Sequence, residues 1–199
     1  MTVAGLLLAA GGGSRIGGPK ALLDLGGRTF VERGVDVLRD AGCDPVLVVI
    51  GAEAQTVRPF VVADVVVAVD WSEGVGASLR SGLAVLEQTS ASACVITLVD
   101  QPLISVDAVR RVLGLAGQAD VAVATYGGEP QHPVLLDRLV WQDVAALAVG
   151  DLGARAWMRA HPSRVLEVPC DGLGSAADID TPADLAELSR RAAGTDHRG

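Results

Sequence analysis

Three adjacent glycines, Gly11, Gly12 and Gly13, follow a short apolar run and precede two cations, in the stretch Leu8-Ala9-Ala10-Gly11-Gly12-Gly13-Ser14-Arg15-Ile16-Gly17-Gly18-Pro19-Lys20. Successive N–H groups with no side chains between them can cradle a polyphosphate, and Arg15 and Lys20 would neutralise what the amides hold. The alternative, a tight turn with two solvated cations, is uneconomical, because adjacent glycines lose much conformational freedom on folding. Two familiar phosphate motifs fail: G-x-x-x-x-G-K-[ST] is missing, and Gly11-Gly12-Gly13-Ser14-Arg15-Ile16 departs from G-x-G-x-x-G at its last position. With no acidic ribose-binding residue at the expected distance, a nicotinamide oxidoreductase is disfavoured.

Carboxylates supply the second half of the chemistry. Asp100 follows the apolar run Cys94–Val99 and so belongs at the carboxyl end of a strand, where open α/β sheets bind ligands; Pro102 then turns the chain away. Magnesium takes one or two carboxylates with phosphate oxygens and water, and Asp100 with Asp178 would supply the protein share, manganese being a substitute. Either aspartate alone is equally readable as a helix cap or a solvated charge. Asp180, one residue before the capping hydroxyl of Thr181, is readable as cap, support or metal contact.

Other polar groups are less committed. Gly76-Ala77-Ser78-Leu79-Arg80 opens a helix whose first amides, with the Ser78 hydroxyl, could meet a base edge or a phosphate; Arg80 is equally readable as an exposed cation. His132 is a lone histidine, a type more often hydrogen-bonded in the structure than a ligand. Asp151 and Arg155 are four apart, which suits a surface pair on a helix. No G-x-S-x-G elbow or nucleophilic cysteine signature suggests a covalent intermediate.

The elements that must position these groups alternate. Short apolar runs at Gly5–Ala10, Val46–Ile50, Val65–Val69, Cys94–Val99 and Val121–Thr125 have helix-compatible stretches between most of them. Helices are expected over Val31–Ala41, Ala77–Leu86, Val106–Leu115 and, after the Thr181-Pro182 start signal, Leu185–Ala192. Half of the 199 residues are hydrophobic but only 3% aromatic, so Val, Leu and Ala fill the interior, as in a parallel sheet covered on both faces. The expected fold is therefore α/β, three α/β/α layers around a mostly parallel sheet, in one domain over 1–193 with a frayed tail over 194–199. A net charge of -8 argues against a nucleic-acid partner, and no apolar run is long enough to cross a membrane. Cys43, Cys94 and Cys170, odd in number and far apart, fit a reducing cytoplasm.

These blocks together resemble the molybdenum cofactor cytidylyltransferase branch of the MobA-like NTP transferases. Beside the loop, the resemblance rests on Gly74-Val-Gly76-Ala-Ser78-Leu79-Arg80-Ser-Gly82-Leu83, Val99-Asp100-Gln101-Pro102, Gln131-His132-Pro133-Val134, Gly150-Asp151-Leu-Gly153-Ala-Arg155 and Asp178-Ile-Asp180-Thr181-Pro182, in family order from residue 5 to about 188. It implies the nucleotide-diphospho-sugar transferase type of Rossmann-like fold. It also implies transfer of CMP from CTP to molybdenum-bearing molybdopterin, with release of pyrophosphate. Leu8, Ala9, Ala10, Gly11, Gly12, Gly13, Ser14, Arg15, Lys20, Gly76, Ser78, Leu79, Arg80, Asp100 and His132 would bind the substrates, with Arg15, Lys20 and Asp100 catalytic and Asp100 and Asp178 on magnesium. His132, Asp151 and Arg155 would line the acceptor side, although Gln131 stands where relatives carry glycine. A molybdoenzyme or its chaperone is the implied transient partner. Leu8-Ala9-Ala10-Gly11 is closer to the cytidylyl branch than the Leu-Ala-Gly-Gly start of guanylyl relatives. The alternatives are GTP as donor, another phosphorylated acceptor such as a sugar phosphate, and a non-catalytic nucleotide-binding or cofactor-delivery module.

Overall fold

The computed structural model describes residues 1–195. Its centre is β1 (Val3–Ala9), buried at every position. Parallel pairing joins β1 to β2 (Val46–Ile50), and β2 to β3 (Asp64–Val67). On its other edge β1 pairs in parallel with β4 (Ala93–Leu98). The antiparallel β6 (Glu129–Asp137) lies between β4 and β5 (Val121–Tyr126), and β7 (Val165–Pro169) closes the far edge beside β5. The order is β3-β2-β1-β4-β6-β5-β7. From β1 the chain winds outwards through β2 and β3, then returns to β4 on the opposite side. The crevice at the carboxyl ends of β1 and β4 is therefore the topological switch point, where open sheets bind ligands.

Helices α1 (Phe30–Ala41), α2 (Ala54–Val57), α3 (Val75–Leu86), α4 (Val106–Leu113), α5 (Trp141–Leu147), α6 (Arg155–Ala160) and α7 (Pro182–Thr195) complete the chain. One core holds residues of α1, α4 and α7 against one sheet face; the other packs α3, α5 and α6 against the opposite face. Local chemistry sets the ends. At α1 the Thr29 hydroxyl accepts from the Glu32 N–H while the Glu32 carboxylate accepts from the Thr29 N–H, and Gly42 closes the helix. Such a cap contributes about 1 kcal/mol. At α7, Thr181 and Asp184 cap each other in the same way.

The expected α/β/α architecture and all five expected strands are present; β6 and β7 are additional. The last helix continues through Thr195, past the expected boundary at 193, and 196–199 lie outside the described residues. Among the described residues, no helix is long and apolar enough to cross a membrane.

Candidate functional site

The loop after β1 divides its amides between two tasks. The carbonyl of Gly13 accepts from the N–H groups of Ile16, Gly17 and Gly18 at 3.0, 3.1 and 3.3 Å, which folds the second half of the loop on itself. Gly13 has φ of +58°, and a Cβ there would stand 2.0 Å from the Gly18 carbonyl oxygen, so only glycine fits. The N–H groups of Gly11, Gly12, Gly13, Ser14 and Arg15 donate to no described backbone acceptor outside the strand ladder. These five are the amides available to an anion. Leu8, Ala9 and Ala10 are buried and set the loop's starting point without facing solvent.

Lys20, at the start of a short 3-10 turn, ends in the crevice. Its Nζ donates to Asp100 Oδ2 at 2.8 Å and to Asp180 Oδ1 at 2.5 Å. Burial works to lower its pKa, but the hydrogen bonds and charges of the two aspartates prevail and hold the ammonium above its ordinary 10.5. Arg15, by contrast, has a side chain 77% exposed and lies 3.8 Å from Asp180. Screening makes that pair worth little.

A backbone bond between their segments holds the aspartates together: Ile179 N–H donates to the carbonyl of Asp100 at 2.8 Å, and Ser175 N–H to that of Leu103 at 3.1 Å. Ile179 is buried, flanked by Asp178 and Asp180. Gln101 Nε2 donates to Asp178 Oδ1 at 2.9 Å, while Asp180 turns to Lys20. Capping of α7 falls to Thr181 and Asp184, which removes the capping reading of Asp180. Asp178 is held above the usual carboxylate range, first by partial burial and then by the charges of Asp100 and Asp180, against the pull of Gln101 and Lys20.

Among the described residues, no group of three or more His, Cys, Asp or Glu side chains already surrounds one metal position. The donor set still fits a hard cation. Three carboxylates face one held ammonium, burial and then the neighbouring carboxylates raise Asp178, and Asp100 Oδ1 and Asp178 Oδ2 accept no hydrogen bond among the described residues.

The remaining candidates separate. Leu79 is 1% exposed and packs in the core under α3, so its side chain cannot reach a ligand. Arg80 is not a free helix cation: it donates to the Ala148 carbonyl and to Glu73. A side chain at Gly76 would meet the Ala148 carbonyl oxygen at 2.6 Å, so the segment after α5 lies against the first turn of α3. Ser78, 4% exposed, is buried behind it. His132 sits in a bulge of β6, where Val134 pairs with Val123 but Gln131 with Ala124. Burial and the nearby Arg155 charge push its pKa down to about 4, and Nδ1 is buried without a partner. Asp151 lies beside Gly74, whereas Arg155 begins α6; Gly153, at φ of +50°, breaks the chain between them, so they do not share a helix face.

Sequence reasoning missed two residues of this crevice. Gln101, which orients Asp178, stands directly after Asp100 in the segment Val99-Asp100-Gln101-Pro102, and a neutral amide there gave no signal of its own. Trp71 stands beside Gly12 and Gly51, and its rank as one of three tryptophans was the available signal.

The model of the MobA-like NTP transferase domain matches residues 5–165. The chain belongs to the MobA-like NTP transferase family. This is a nucleotidyltransferase family, which implies a nucleoside triphosphate substrate. Among its relatives, a nicotine blue oxidoreductase of Paenarthrobacter nicotinovorans is 36% identical over 94% of this chain and 96% of its own. The purine catabolism protein PucB of Bacillus subtilis is 31% identical over the same shares, 94% and 96%. Rv0371c of Mycobacterium tuberculosis H37Rv, solved in complex with manganese, is 32% identical with a TM-score of 0.79, covering 96% of this chain and 99% of its own. A relative solved with a divalent metal is thus known.

Proposed function

We propose that this protein transfers CMP from CTP to molybdenum-bearing molybdopterin, releasing pyrophosphate and forming a cytosine dinucleotide. The observation that carries the reading is Lys20, held by Asp100 and Asp180 in the β1–β4 crevice beside five uncommitted loop amides. The cytosine and the acceptor rest on the resemblance of the motif blocks to the cytidylyl branch.

The acceptor phosphate is already a nucleophile, so its oxygen bonds to the α-phosphorus as the bond to the β-phosphate oxygen breaks and pyrophosphate leaves. The chain needs to align the partners and offset charge. The Gly11–Arg15 amides hold the triphosphate. An ammonium has three donors and Lys20 uses two on carboxylates, which leaves the third for a phosphate oxygen. Arg15, extended into solvent, meets the outer phosphates. Asp100 and Asp178 would hold magnesium or manganese, which supplies charge neutralisation at the phosphates. His132 stays neutral at pH 7 and, with Arg155, lines the acceptor side.

The experiment is dinucleotide formation by mass spectrometry with CTP, GTP, ATP and UTP, molybdopterin and magnesium, on wild type and Asp100→Ala. CTP is expected to lead, and Asp100→Ala to lose turnover. GTP outperforming CTP overturns the base, and turnover only with a sugar phosphate overturns the acceptor.

A second reading is favoured by the 36% identity to a nicotine blue oxidoreductase: a redox enzyme using this crevice for a dinucleotide. Tight NADH binding without pyrophosphate release from any triphosphate would establish it instead.

A further inference from the structure

Two of the three tryptophans, Trp141 and Trp157, are fully buried, whereas Trp71 leaves 36% of its surface in water. A protein able to bury two indoles completely has left the third at the carboxyl end of its sheet. Trp71 follows β3 and is fixed there from both sides. The Ala68 N–H donates to the Ile50 carbonyl at 2.8 Å, the Trp71 N–H to the Ala68 carbonyl at 3.3 Å, and the Gly74 N–H to the Trp71 carbonyl at 3.2 Å. Its Cβ fits only because Gly51 has no side chain: a Cβ at Gly51 would stand 2.5 Å from that of Trp71. The outer ring atoms Cζ3 and Cη2 then lie where a Cβ on Gly12 would be 3.6 Å away. The indole therefore flanks the first uncommitted amides of the loop.

Sheet order gives the direction. Trp71 stands on the β2–β3 side of β1, whereas Asp100 stands on the β4 side and draws Lys20 to it. A triphosphate whose phosphates lie towards Lys20 would run back across the loop with its base end towards the indole. We infer that Trp71 is the stacking platform for the nucleobase, a binding residue that contributes affinity through the aromatic face and leaves discrimination between bases to groups at the base edge. This inference rests on the nucleotide-binding reading of the crevice.

Stacking of a base on an aromatic side chain is sequence-tolerant and substantial; truncation to alanine weakens binding by about tenfold or more. The competing role, a bolt that only holds the loop in shape, would damage the phosphate site as well. The test therefore measures CTP and inorganic tripolyphosphate binding, each with magnesium, by calorimetry on wild type, Trp71→Ala and Trp71→Phe. The expected result is CTP affinity weakened about tenfold or more in Trp71→Ala and within about threefold of wild type in Trp71→Phe. Tripolyphosphate affinity should be equal in all three, which also reports an intact loop. Wild-type tryptophan fluorescence should be quenched by CTP and not by tripolyphosphate. Equal loss of both ligands in Trp71→Ala, or of neither, overturns the stacking role. Wild type binding no nucleoside triphosphate at all overturns the nucleotide reading itself, a distinct outcome.

Discussion

The carbonyl of Asp100 accepts the N–H of Ile179 at 2.8 Å, and this bond, with that from Ser175 N–H to the Leu103 carbonyl at 3.1 Å, holds the chain before α7 across the tip of β4. With Ile179 buried, its neighbours Asp178 and Asp180 remain at the crevice, one on Gln101 and one on Lys20. Residues nearly eighty positions apart thereby form one acidic cluster around one ammonium.

Lys20 is the first place to test that cluster. Lys20→Met removes the ammonium that faces the phosphates and leaves three carboxylates to repel an anionic substrate. Pyrophosphate release should fall about 10²–10³-fold, as when a preorganised charge-stabilising donor is removed. A change smaller than about threefold would show that Lys20 serves only to pair with the aspartates.

The turn at Gly13 admits no side chain. Gly13→Ala should cost about 1–3 kcal/mol through the positive φ, and more through the collision with the Gly18 carbonyl. Thermal unfolding and tripolyphosphate binding check it: both should drop together, and an unchanged affinity would mean that the loop's shape does not hold the anion.

His132 gives a pH dependence. Its folded pKa, near 4, lies below the ordinary 6.5, so in that window the unfolded chain binds the extra proton. The stability associated with the neutral ring is fully present above about 6.5 and is lost as pH falls towards 4. His132→Gln should flatten the melting temperature between those values relative to wild type. Identical pH profiles for the two proteins would place the ring in solvent.

Much of this was legible in the sequence because it is local. Glycines next to one another and an aspartate after an apolar run announce a loop and a strand tip whatever surrounds them. β6 was not legible: its two prolines and its bulge at His132-Pro133 break the alternation of an antiparallel strand. β7 is an edge strand with only Val168 buried, so it has no apolar run to read. Burial of the Leu79 side chain was legible as well, since Leu79, Leu83 and Leu86 repeat at helical spacing and form the buried face of α3. Of the two readings of Asp151 and Arg155, the helical surface pair is removed because Gly153 intervenes with a positive φ. The position of Trp71 beside Gly12 depends on Gly51 lacking a side chain, a tertiary relation that spacing along the chain does not encode.

The most direct measurement is a crystal structure with manganese and a non-hydrolysable CTP analogue, using the anomalous signal of the metal to locate it. The expected map shows manganese at Asp100 and Asp178, with the triphosphate along the Gly11–Arg15 amides and within reach of Lys20. A triphosphate bound away from that loop, or manganese distant from Asp100, would contradict the central claim that this crevice grips a nucleotide.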